Sequence, residues 1–144
     1  MTVESLTLQE AFARFGGSPS NRLRSVSAIT NDGRGMILAC SSGRFLHPER
    51  GVLRYEDRLS REEAQSAEMR SLGEHLTQAR DGGLPIRMIV LTPRLQTAGK
   101  IGQDIHVRAD LVGKLLVFDG DRFIVDFIRT EAPTAAVRQR PRAY

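Results

Sequence analysis

The stretch SREEAQSAEMRSLGEHLTQARDGGLPIRMIVL, residues 60–91, decides the fold class. Most of it reads as one long amphipathic helix. Ser60 stands three residues ahead of Glu63, the spacing of a capping box, and Glu62 and Glu63 lie where the helix dipole favours carboxylates. Ala64, Ala67, Leu72, Leu76 and Ala79 recur at helical spacing, with Met69 on the flank of that stripe. Arg61, Glu62, Gln65, Glu68 and Arg80 make up the solvated face. Asp81-Gly82-Gly83 ends the helix, and Pro85 leads into Ile86–Leu91, a nearly unbroken apolar run followed by Pro93. Such a run suits a central strand covered on both faces.

Working outward, neither flank shows the regular strand–helix alternation of a doubly wound parallel sheet. Upstream, Thr7 and Glu10 form a second capping-box spacing, Leu8, Phe12 and Phe15 share a helical face, and Gly16-Gly17 ends this short helix. Ser18-Pro19-Ser20-Asn21 is a loop. Arg24–Thr30 alternates, with Val26 and Ala28 on one side and Ser25, Ser27 and Ile29 on the other. Asn31-Asp32-Gly33 supplies a turn, and Met36–Cys40 returns as the second strand of a hairpin. Residues 41–51 (SSGRFLHPERG) read as a polar loop and Val52–Tyr55 as a third strand. Downstream, residues 94–104 (RLQTAGKIGQD) read as a flexible loop, and a short strand opens at Ile105. Lys114–Phe118, Asp119-Gly120-Asp121 and Arg122–Arg129 then form a closing hairpin with Phe123, Val125 and Phe127 on one face. The expected fold is α+β: a twisted, mainly antiparallel sheet of six or seven strands with one long and one short helix. Residues 1–130 are expected to form a single domain and 131–144 a basic, flexible tail.

Composition agrees with one such domain. The chain has 144 residues, 40% hydrophobic and 26% charged, enough for a single core and too apolar for a disordered chain. Apolar runs such as Leu115–Phe118 are far below the roughly 20 residues of a membrane span, so no membrane partner is expected. A single cysteine, Cys40, excludes an internal disulfide and a Cys-rich zinc site; inside Met36–Cys40 it reads as a small buried hydrophobe. The opening MTVESLTLQEAF lacks the order of a secretory signal, which makes the cytoplasm the expected location.

The chemistry-bearing residues are sparse. No Gly-x-x-x-x-Gly-Lys-Ser/Thr loop and no Gly-x-Ser-x-Gly elbow occur, and His47, His75 and His106 stand far apart. No catalytic residue, metal or cofactor is expected. Asp119 and Asp121 flank a turn glycine and suit turn formation; together with Asp126 or His47 they carry the alternative of a metal-dependent nuclease. Arginine is the outstanding signal: 19 Arg against 2 Lys, in a chain of net charge +4. Codon bias in a GC-rich genome accounts for that skew equally well. Arg22, Arg24, Arg44, Arg50, Arg54 and Arg58 fall close together in sequence, beside His47 and Tyr55. Guanidinium forks grip phosphates, and Tyr55 would be available to stack on a base. Glu49, Glu56 and Asp57 reduce the local excess, and a merely solvated surface is the plainer account of the cluster. In the tail, Arg138, Arg140 and Arg142 face only Glu131 and could act as a basic arm. The leading expectation is a non-enzymatic nucleic-acid-binding module, DNA ahead of RNA. The alternative is a small interaction or inhibitor module that docks on an acidic protein surface of a host complex. Val52–Tyr55, taken as an edge strand, could pair across a two-fold axis to form a homodimer.

The run Asn21-Arg22-Leu23-Arg24-Ser25-Val26-Ser27-Ala28, followed by Asp32-Gly33 and the apolar strand to Cys40, resembles the opening of a poorly characterised bacterial and prophage α+β domain. That domain stands alone or precedes an HNH nuclease domain. The resemblance spans about residues 8–129 and implies a DNA-associated module, from a mobile-element or defence-related context, with chemistry done elsewhere. Relatives carry tryptophans near the positions of Leu23 or Val26; this chain contains no Trp.

Overall fold

The computed structural model describes residues 6–21, 24–61, 66–95 and 101–130. The first capping box closes as its spacing predicts. The Thr7 hydroxyl accepts from the Glu10 N–H at 3.1 Å, and the Glu10 carboxylate accepts from the Thr7 N–H at 2.8 Å. This starts α1 (Leu8–Arg14), and the chain leaves it through Gly16, whose φ of 78° is readily adopted only without a Cβ.

Seven strands follow in one sheet: β1 (Ser27–Ile29), β2 (Met36–Ser41), β3 (Phe45–Leu46), β4 (Val52–Arg58), β5 (Ile86–Leu95), β6 (Ile101–Phe118) and β7 (Arg122–Arg129). The long helix α2 (Ala67–Gly82) lies between β4 and β5 in sequence. The spatial order is β1-β2-β5-β6-β7-β4-β3. All neighbours are antiparallel except β2 and β5. The α+β expectation therefore holds, with a mainly antiparallel sheet and one long and one short helix.

The sheet has an inner face under α2 and an outer face partly covered by α1. Met36, Leu38, Ile86, Met88, Val125 and Phe127 point inward to Met69, Leu72, Leu76 and Ala79 of α2. Ile37, Ala39 and Ile89 point outward to Leu8, Ala11 and Phe12 of α1. The run from Ile86 is thus covered on both sides, and the Phe123, Val125, Phe127 face is buried, both as the sequence predicts.

Several boundaries differ, each for a tertiary reason. Ser66, not Ser60, caps α2, accepting from the Met69 N–H at 3.2 Å. Ser60 is instead held by Asp121 of the β6–β7 turn, through its N–H at 2.8 Å and its hydroxyl at 3.0 Å. This fixes a 3-10 turn at Leu59–Arg61 and drives Leu59 into the core. Glu62, Glu63, Ala64 and Gln65 lie outside the described residues. Ala67 is exposed, and Met69 belongs to the centre of the buried stripe.

Pro93 does not end its strand: it faces Gln103 across the ladder, and β5 continues to Leu95. The expected loop over 94–104 therefore holds strand at both ends, with 96–100 outside the described residues. The expected short strand and first hairpin arm are one 18-residue strand, β6. Register shifts against β5 and against β7 hide its continuity, because each shift reverses which residues face inward. Arg87 tethers the first of them, donating to the Ala109 carbonyl at 2.8 Å while its guanidinium lies 4.9 Å from the Phe15 ring centre.

The polar loop expected over 41–51 contains β3, where Phe45 pairs with Tyr55 and Leu46 with Arg54. Two residues are too few to show alternation. In consequence Val52–Tyr55 is not a free edge: β4 pairs with β7 along its length and with β3 at Arg54 and Tyr55. Among the described residues no helix is long and apolar enough to cross a membrane. Cys40 is fully buried, and burial pushes its thiol pKa up.

In the first hairpin, Val26 stands just ahead of β1 and packs with the core under α2, while Ala28 packs under α1. The Ser27 hydroxyl lies 2.7 Å from Nδ1 of His75 and joins β1 to α2. Burial lowers the His75 pKa from its ordinary 6.5, with Glu74 acting in the opposite direction. On acidification the unfolded chain therefore binds this proton before the folded one does. Stability from this site is present above about pH 6.5 and lost as pH falls through that value toward the lowered one. Urea unfolding at about pH 7.5 and about pH 5.5 should show lower stability at the acid end, and His75→Gln should remove most of that difference. An undiminished difference in the variant would assign it to other groups.

Candidate functional site

Strand alternation divides the β4 candidates between two faces. Leu53, Tyr55 and Asp57 turn inward; Arg54, Glu56 and Arg58 turn outward. Outside, every one of these charges meets a partner from β7 or its turn. Arg54 forms a two-pronged pair with Asp126 at 2.7 and 2.9 Å. Arg122 meets Glu56 at 2.7 Å, and Arg58 meets Asp121 at 3.2 Å. The open outer face is a ladder of acids and bases with apolar rows between them. All four large hydrophobics that remain exposed among the described residues, Leu46, Leu116, Val117 and Ile128, lie on β3, β6 and β7.

Inside, Tyr55 is only 1% exposed, so its ring has no free face for a base. It packs between Phe45 and Phe123, with ring centres at 5.4 and 6.1 Å. Its hydroxyl donates to Asp57 at 3.2 Å and accepts from the Ser41 N–H at 3.2 Å, and burial raises its pKa. The same Asp57 carboxylate takes Arg44 at 3.5 Å and Arg61 at 3.1 Å.

Arg24 is exposed ahead of β1, at the other end of the strand order from Arg54 and Arg58. His47 and Arg50 are exposed on the turn between β3 and β4. Arg22, Arg138, Arg140 and Arg142 lie outside the described residues. The described arginines expected to share one surface are thus spread over both faces and both ends of the sheet.

What the fold does gather is a groove of about 610 Å³ on the inner face, beside the apolar core. Phe45, Leu53, Met88, Val90, Leu111 and Phe127 supply its apolar wall, and Ser42, His47, Arg108 and Arg129 its polar one. The register shift in β6 makes this possible. Met88 pairs with Arg108 but Ile86 pairs with Gly113, so the extra residues bring both Arg108 and Leu111 to the groove. Arg108 is held by Asp110 at 3.0 and 2.9 Å, and Arg129 reaches the same carboxylate at 3.7 Å. Hydrogen bonds from Arg108 lower the Asp110 pKa, so this carboxyl stays ionised. Two guanidinium groups around one carboxylate leave the rim with one positive charge in excess.

No family model, curated protein or solved structure matches the chain.

The acids proposed for metal chemistry have local duties. Asp119 accepts from the N–H groups of Asp121 and Arg122 at 2.9 and 2.8 Å, and these bonds lower its pKa. Asp121 holds Ser60 and Arg58, and Asp126 holds Arg54. Among the described residues no three His, Cys, Asp or Glu side chains gather into a metal site. Of the expected candidates among the described residues, only His47 lines the groove; Arg108 and Arg129 were missed. Their signal in sequence is faint: each is one arginine in a strand, and only a bulge and a distant pairing bring them together.

Proposed function

We propose that this protein is a non-enzymatic nucleic-acid-binding module that grips its ligand at the groove. One observation carries the reading: the half-buried apolar side chains of Phe45, Leu53 and Val90 share a groove with Arg108, Arg129, His47 and Ser42. Phosphates suit the guanidinium rim, and bases suit the apolar wall. Arg44 and Arg50 adjoin the lining residues Phe45 and Gly51 in sequence and can extend the cationic margin. The mobile-element context implied by the likeness of residues 21–40 to a prophage domain belongs to the same proposal.

If about four of these cations meet phosphates, the logarithm of affinity should fall with that of salt at a slope of roughly −2.8 on a single strand or −3.6 on a duplex. Fluorescence anisotropy with a labelled oligonucleotide over a salt series measures it. The Arg108→Ala/Arg129→Ala double variant should make the slope shallower by about 1.4 to 1.8. Absence of binding at low salt would reject the reading. That result would favour the second one, a protein-interaction module. Its specific support is the outer face, where charges already paired in the sheet and exposed apolar side chains suit another folded surface better than a polyanion.

A further inference from the structure

We infer that the groove receives an unpaired base, so that the ligand is a single strand and not a duplex. The inference rests on the nucleic-acid reading above and narrows it. A duplex offers a protein its phosphates and the edges of its stacked pairs, while the flat faces of its bases are hidden. Phosphate and base edges alone would leave the half-buried apolar wall of Phe45, Leu53 and Val90 without a partner. An unstacked base has an apolar face for that wall and polar edges for Ser42 and His47. Its own phosphate then lies toward Arg108 and Arg129.

One ring suits the groove to a flat group. Phe45 is tilted against the buried Tyr55 ring, with an interplanar angle of 56°, and remains half-buried on the groove side. The volume of about 610 Å³ falls in the range of small-ligand sites and suits one nucleotide.

The test compares three ligands of equal length on the full chain by anisotropy at low salt: oligothymidylate, an abasic strand with the same phosphates, and oligothymidylate annealed to its complement. The single strand should bind roughly ten-fold more tightly than either of the others, the effect of one stacked base. Phe45→Ala should weaken binding of the thymidylate strand and leave the abasic strand unchanged. Should that variant fail to fold, the comparison of strands on the unaltered protein still decides. Equal binding of the thymidylate and abasic strands, or of strand and duplex, would overturn the inference and leave the nucleic-acid reading standing. No binding of any of the three would overturn both.

Discussion

Asp57→Ala should lower folding stability by about 3 kcal/mol, read as a fall in the urea midpoint at neutral pH. The side chain is 3% exposed and meets four partners, two guanidinium groups in ion pairs and two hydrogen-bond donors. Two are solvated enough to recover water, since the side chains of Arg44 and Arg61 are 47% and 29% exposed. The other two are not. The Tyr55 hydroxyl and the Arg58 N–H, bonded to Asp57 at 3.2 and 2.8 Å, would lose their acceptor in a partly dry site. Those two losses, at about 1–2 kcal/mol each, dominate the expected cost. Tyr55→Phe removes one donor while keeping the ring, and should cost only about 1 kcal/mol. If Asp57→Ala cost no more than Tyr55→Phe, the carboxylate would not be what ties the turn before β3 and the turn after β4 to the sheet.

Gly113→Val should be nearly as damaging, at about 2–3 kcal/mol, because it overfills the core. Its φ lies outside the left-handed region, so space and not backbone freedom makes the glycine necessary. An added Cβ would lie 2.6 Å from Phe127 and 2.9 Å from Val125, both fully buried. A thermal melt should show a drop of roughly 5–10 °C. Gly113→Ala should show a smaller drop, since it lacks the two branching methyls. Because Phe127 lines the groove, both variants should also weaken oligonucleotide binding by more than their residual unfolded fraction explains. A Gly113→Val protein as stable as the parent would show that the ring can move aside without cost.

The elements legible in sequence are those whose signal is local. Thr7 and Glu10 meet because three residues separate them, and the Gly120 turn leads into an arm whose Phe123, Val125 and Phe127 alternate on their own. The apolar run from Ile86 announces a covered strand without reference to its neighbours. By contrast, the long helix was placed too early because Ser60 and Glu63 have good cap spacing. Asp121, far away in sequence, claims Ser60 for a different turn. β6 escaped detection as one strand because its register shifts interrupt the alternation by which strands are recognised.

The candidate site shows the same division more sharply. Sequence alone established an α+β chain rich in arginine, lacking a disulfide and lacking any familiar catalytic motif. Which arginines face an acid was decided only by tertiary structure. Arg54 and Asp126 are 72 positions apart and become partners through the β4–β7 register, while Arg108 and Arg129 share Asp110 across β6 and β7. The physical reason is range. Capping and alternation act over a few residues of one strand or helix, so they can be read along the chain. Charge pairing acts over a few ångströms between strands, and a shift of one residue in register turns each of those side chains to the opposite face.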